Sequence, residues 1–174
     1  LLALATGDQP RLRRAAVALL GVSGIVPGPD TPTALQRASA IAGTGTATPE
    51  ARVDAITLLA RADAPTYRPV FTRVIASHEP EAVQVAAVNA LQRIPGAATP
   101  AFLLEKWPTL TSPVRTAAAT VVLSRRDGSV AMLQAIKAGT VKLWMLNFWH
   151  KRSLIMHRDE AIRAEARTVL EESP

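Results

Sequence analysis

Cysteine is absent from the 174 residues, which removes disulfides, thiolate metal sites and cysteine nucleophiles together. Aromatic residues make up only 4% of the chain, so a core has to be assembled from Ala, Leu, Val and Ile. Sandwiches and barrels draw on β-branched and aromatic residues in period-two runs, and no such run of any length occurs. No apolar stretch is long enough to cross a bilayer, which predicts no membrane insertion by these residues, and no secretory leader is recognisable. Acidic residues are in deficit, 14 Asp and Glu against 20 Lys and Arg, for a formal net charge of +6. The basic residues are scattered in ones and twos rather than in runs. The plain reading is a set of solvated helix faces, and the alternative is an anionic partner.

What is present is a hydrophobic content of 48%, enough for a substantial core, and a repeated pattern. Counted from Val114, apolar residues fall at +3, +4, +7 and +8 (Ala117, Ala118, Val121, Val122), one face of an α-helix. The same ruler from Leu12 meets Ala15, Ala16, Leu19 and Leu20, and from Val83 it meets Ala86, Ala87, Ala90 and Leu91. From Ala51 and Ile162 it fits with one polar exception each, Asp54 and Glu165. Position +4 is alanine throughout: Ala16, Ala55, Ala87, Ala118 and Ala166. Position +1 is Arg13, Arg52, Arg115 or Arg163, with Gln84 in the remaining copy.

Prolines 10, 49, 80 and 113 mark the first turns of four ruled helices, where the N–H groups lack partners and proline's φ is already helical. Asp159 can cap the fifth. Shorter amphipathic segments lie between them, at Thr33–Ala42, Tyr67–Ser77, Pro100–Trp107, Ser129–Ala138 and Leu146–Met156. Residues 21–32, broken by glycine and proline, predict an irregular loop. Residues 127–157 hold an extra helix and a Trp-rich segment. Leu1-Leu2-Ala3-Leu4 reads as the tail of a helix already under way, which predicts a piece of a longer chain. The expected fold is all-α, a single domain over residues 1–174 in which about five helical repeats stack as an α–α superhelix.

The ruled helices, with Pro, Arg, Ala-Ala and a late Leu in order, resemble the second helix of a HEAT repeat in a HEAT or armadillo-like solenoid. In such arrays a turn aspartate and the +1 arginine commonly form a ladder between repeats. The resemblance thus implies Arg13, Arg52, Arg115 and Arg163 as rungs, with Asp8, Asp63, Asp127 and Asp159 as turn partners. A narrower likeness runs from Glu81 to Leu170. It is carried by Phe102-Leu103-Leu104-Glu105-Lys106-Trp107-Pro108, Ser112-Pro113-Val114-Arg115, Leu133-Gln134-Ala135-Ile136-Lys137-Ala138-Gly139-Thr140-Val141 and Arg152-Ser153-Leu154-Ile155-Met156-His157-Arg158-Asp159. This order resembles the HEAT-like segment of planctomycete-type large membrane-bound dehydrogenases, the haem-binding proteins built as propeller, HEAT segment and cytochrome c.

That resemblance implies a non-catalytic scaffold or docking module that positions a quinoprotein-like propeller and a c-type cytochrome domain. It places the haem c in a downstream domain, with none held by these residues, and implies a periplasmic or exported setting. The partners it implies are flanking domains of the same chain or another protein.

Read for chemistry, the residues offer no catalytic, cofactor-binding or metal-ligating set, and no small-molecule substrate suggests itself. His78, His150 and His157 are not spaced as metal ligands, and no serine sits in a nucleophile elbow. Gly43-Thr44-Gly45-Thr46 follows a helix and lacks a phosphate-binding lysine, so it reads as a linker. Glu50, Asp54, Asp159 and Glu160 lie in helix first turns, where negative charge complements the macrodipole.

One segment is chemically conspicuous: Trp144, Phe148 and Trp149 with Lys151 and Arg152 beside them. The leading reading is a set of rings plugging the wider gap between the last two repeats. An interface anchor and a base-stacking platform are the alternatives. The last belongs to a second functional reading, a nucleic-acid-binding HEAT-like module with a basic concave face. That reading requires Arg11, Arg13, Arg14, Arg125, Arg126, Lys151 and Arg152 to gather on one side.

Overall fold

Proline and glycine punctuation, with runs of Ala, Leu and Val between, produces a chain with ten α-helices, two 3-10 turns and no strand among the described residues. The computed structural model describes residues 1–76 and 78–172. The helices are α1 (Leu2–Ala5), α2 (Pro10–Ser23), α3 (Thr31–Gly43), α4 (Pro49–Ala76), α5 (Glu81–Leu91), α6 (Ala98–Lys106), α7 (Ser112–Leu123), α8 (Arg126–Lys137), α9 (Phe148–Ile155) and α10 (Glu160–Glu172). The 3-10 turns are Trp107–Thr109 and Leu143–Met145. The fold divides into two compact units, Leu1–Ile94 and Pro95–Pro174. In the first, α4 is the hub on which α1, α2, α3 and α5 pack. In the second, α8 packs on α6, α7 and α10, and α9 lies against α7 and α10.

Most helix ends fall within three residues of those expected, and two differences change the path of the chain. Helix α2 continues through Gly21 to Ser23, so the irregular loop shrinks to residues 24–30. Gly21 does not break the helix, because its role is close approach. A Cβ there would collide with the guanidinium of Arg61, which donates from Nη1 to the Val17 carbonyl at 2.5 Å. Gly24, at φ 77°, makes the actual stop.

The second difference is in α4, which absorbs the expected Tyr67–Ser77 helix with no loop between (Ser77 lies outside the described residues). Proline at 65 lacks an N–H and its ring would strike the carbonyl one turn back. The chain therefore leaves helical geometry at Asp63, with φ −163° and ψ 78°. The Asp63 carboxylate then accepts the Thr66 N–H at 3.3 Å and its hydroxyl at 2.6 Å, capping the second half.

All five ruled alanines are buried, none more than 2% exposed, and Leu20, Leu59, Leu91 and Val122 at +8 are buried with them. The buried face is nonetheless rotated from the ruler. Ala15 at +3 is exposed, Ala86 and Ala117 are half-buried, and Val17, Ile56, Val88 and Ala119 at the unmarked +5 position are buried. The polar exceptions are ion pairs. Asp54, for which the sequence predicts only a helix-dipole charge, is buried and accepts Arg13 Nε at 2.9 Å. Glu165 accepts Lys137 Nζ at 2.5 Å.

Position +1 has one role in all five copies. It donates to a carbonyl at the end of the preceding helix or in the turn after it. Arg13 reaches Gly7 at 3.0 Å, Arg52 reaches Ala42 at 3.1 Å and Gln84 reaches Ile75 at 3.1 Å. Arg115 reaches Leu110 at 2.7 Å, and Arg163 reaches His157 and Arg158 at 2.8 and 2.9 Å. Helix ends leave such carbonyls open, and a cation there also meets the negative end of the macrodipole. Arg52, 2% exposed, adds an ion pair to Glu79 at 2.6 Å. That bond, against opposing desolvation, holds the Glu79 carboxyl below the usual carboxylate range.

The expected turn aspartates are not the rungs. Asp8 is exposed and 3.8 Å from Arg37, and Asp63 caps within α4 as above. Asp127 accepts the Gly128 N–H at 3.0 Å. Asp159 caps α10 through Ala161 and Ile162, and its other oxygen accepts Arg126 Nε at 2.7 Å. Arginine at +1 instead serves helix-end and turn carbonyls, and among the described residues its carboxylate partners are Asp54 and Glu79. A backbone carbonyl is always present there, whereas a turn carboxylate depends on which residue the turn carries.

The small side chain at +4 sets how closely helices approach. Replacing Ala118→Leu forces a larger group into filled space and lowers stability by about 1–3 kcal/mol, while Ala164→Leu on the exposed side of α10 changes it by less than about 0.5 kcal/mol. Urea denaturation of the two variants measures the difference.

Candidate docking surface

The conspicuous aromatic segment is built in three steps. Helix α8 ends at Gly139, whose φ of 76° lets Thr140 and Val141 both donate to the Ala135 carbonyl, at 3.0 and 3.1 Å. Buried Val141 and Leu146 then pin the crossing, with the Leu143–Met145 turn between them. Asn147 caps α9 by accepting the His150 N–H at 2.9 Å. At period 3.6 this start sends His150 and Leu154 inward and leaves Phe148, Trp149, Arg152 and Met156 on one outward arc.

The rings do not plug a gap. Trp144 is 75% exposed, Trp149 70% and Phe148 66%. The buried ring is that of the third tryptophan, Trp107, which donates its indole N–H to Met145 Sδ at 3.3 Å. Its aromatic bulk, isolated in a chain poor in rings and followed by Pro108, was the signal available in the sequence. Phe148 and Trp149 meet edge to face, centroids 5.3 Å apart and planes at 75°. Met156 adds further exposed apolar area.

The sequence that carries these rings is cationic. From Gly128 to Arg158 the sequence has no Asp or Glu. Within that span Lys142, Arg152 and Arg158 are exposed and Lys151 is half-buried. Among the described residues none of these four has a carboxylate partner. Lys137 does, through Glu165.

The seven cations required by the nucleic-acid reading are not equally available. Arg13 is buried on Asp54, Arg125 donates to the Gly96 carbonyl at 2.8 Å, and Arg126 holds Asp159. That last bond keeps the Asp159 carboxyl below its ordinary range. His157 accepts the Asp159 N–H on Nδ1 at 3.0 Å, and His78 is exposed. No group of His, Cys, Asp or Glu among the described residues is arranged to hold a metal.

His150 is a buried titratable group on the inner side of α9. Its Nε2 lies 3.0 Å from the Thr120 hydroxyl, which itself donates to the Thr116 carbonyl at 3.1 Å. The hydroxyl proton being spent there, Nε2–H donates and Nδ1 is left bare, buried and without a partner. A second proton would have to sit on that atom with no acceptor, and burial pushes the imidazole below its ordinary value.

Two measurements follow from this geometry. Trp107→Ala lowers stability by about 3–5 kcal/mol in urea denaturation, while Trp144→Ala and Trp149→Ala change it by less than about 0.5 kcal/mol. With the folded-state value of His150 depressed, the unfolded chain binds the extra proton first. Stability therefore holds above about pH 6.5 and declines as pH falls below it, and His150→Gln flattens that part of a urea-midpoint profile.

No family model matches the sequence, and neither a characterised relative nor a solved structure similar to it was found.

Proposed function

We propose that the chain is a non-catalytic helical-repeat docking module, whose packed helix pairs set the spacing and orientation of flanking domains. The observation that carries this reading is the outward face of α9 with the turn before it, where Trp144, Phe148 and Trp149 stand in solvent. Each ring is a large apolar payload left unspent by folding. Removing such area from water stabilises a complex by roughly 25 cal/mol per Å² before association costs are subtracted. Trp and Arg together are also the composition of interface hot spots.

The likeness over Glu81 to Leu170 supports a particular setting, between a quinoprotein-like propeller and a c-type cytochrome in an exported redox protein. In that setting the haem belongs to the following domain, and these residues supply geometry rather than chemistry. The source reading frame tests it: a Cys-x-x-Cys-His motif is expected within about a hundred residues downstream, and its absence overturns the redox setting. The docking reading is tested by titrating separately expressed neighbouring domains against this chain. Trp149→Ala is expected to weaken binding at least about tenfold, and unchanged affinity in every combination overturns it.

A further inference from the structure

Resting on the docking reading of α9, we infer that its outward face takes an acidic, apolar-bearing segment of a protein partner. A carboxylate of that segment pairs with Arg152, and its apolar side chains lie against Phe148, Trp149 and Met156. Charge complementarity points there first. Arg152, on that same arc, has no carboxylate of its own among the described residues, and the span that holds it, Gly128 to Arg158, contains no acidic residue. Free guanidinium beside exposed rings is the half of an interface hot spot that a partner's Asp or Glu completes.

The arrangement of the rings separates this partner from two others of similar charge. A single-stranded nucleic acid needs open ring faces on which successive bases stack. At 75° and 5.3 Å, the Phe148–Trp149 pair directs the edge of one ring to the face of the other and offers a corner instead of a platform. An anionic membrane takes up an apolar helix face with its cations on the opposite, polar side. Here Arg152 lies in the same row as Phe148 and Met156, four residues from each. A lipid-facing row would carry that charge at its centre, whereas a protein partner can meet it with a carboxylate.

The test uses the full 174-residue chain. The probes are a fluorescein-labelled peptide of alternating Glu and Leu-Phe pairs, its Gln and Lys counterparts, an oligo-dT strand, and vesicles of phosphatidylglycerol with phosphatidylcholine. Anisotropy or vesicle sedimentation reports binding, and the exposed tryptophans give an emission shift. The Glu peptide is expected to bind at least about tenfold more tightly than the Gln peptide. Arg152→Glu and Trp149→Ala, both on exposed positions, are each expected to lose about tenfold or more. Arg152→Glu is further expected to reverse the preference toward the Lys peptide. Equal binding of the Glu and Gln peptides overturns the inference, as does indifference to Arg152→Glu. Tighter capture of oligo-dT or vesicles through the same residues overturns it in favour of that partner. If neighbouring domains bind through Trp149 while the Glu peptide does not, the docking reading stands and only the acidic chemistry falls. If neither binds, both fall.

Discussion

The structure depends on one recurring hydrogen bond, from the side chain at the second ruled position back to a carbonyl that the preceding helix or its turn leaves open. Five copies make it, four with arginine and one with glutamine. The bond fixes where each ruled helix starts relative to the one before. Without that lock, apolar burial alone would allow a helix to slide or rotate, since the hydrophobic effect has no direction. A long side chain that spans from first turn to preceding turn supplies the direction. The small alanine three positions on then lets the two backbones come close. The two features act on the same helix face, and neither orders the pair by itself.

Within the unit Pro95–Pro174, division of labour among three tryptophans shapes the surface. Trp107 is completely buried, whereas the later rings take little part in the packing. Helix α9 then has an inner side that is committed, through Leu154 and the His150–Thr120 contact, and an outer side that is not. The outer rings consequently contribute little to holding the fold. The inner histidine, neutral and short of one partner, is the polar element beneath them.

Much of this was legible in the amino-acid order. The helices announce themselves by period and by proline at their starts, and the five alanines are buried as the ruler places them. The angular setting was less legible, because Val17, Ile56, Val88 and Ala119 count toward the core only once neighbouring helices are in position. Arg13 and Arg52 could be singled out by recurrence, but their acceptors are main-chain carbonyls, and backbone atoms leave no trace in side-chain identity. The same limit hid the break in α4. Pro65 signals an interruption, yet nothing in the letters says that Asp63 absorbs the whole change of direction without a loop. For the aromatic segment, composition showed that the rings matter and could not show which way they point. That is decided by the cap at Asn147 and the anchors Val141 and Leu146.

The break at Asp63 leaves the two halves of α4 joined with no spare length. A helix advances about 100° per residue. One residue inserted after Asp63 would turn the second half by that angle, carrying Phe71, Val74 and Ile75 out of the interior together, since all three are buried on one arc. Length variation is therefore tolerated in the open stretch at residues 24–30 and closed to this junction. The chain's phase is kept by a joint of a single residue.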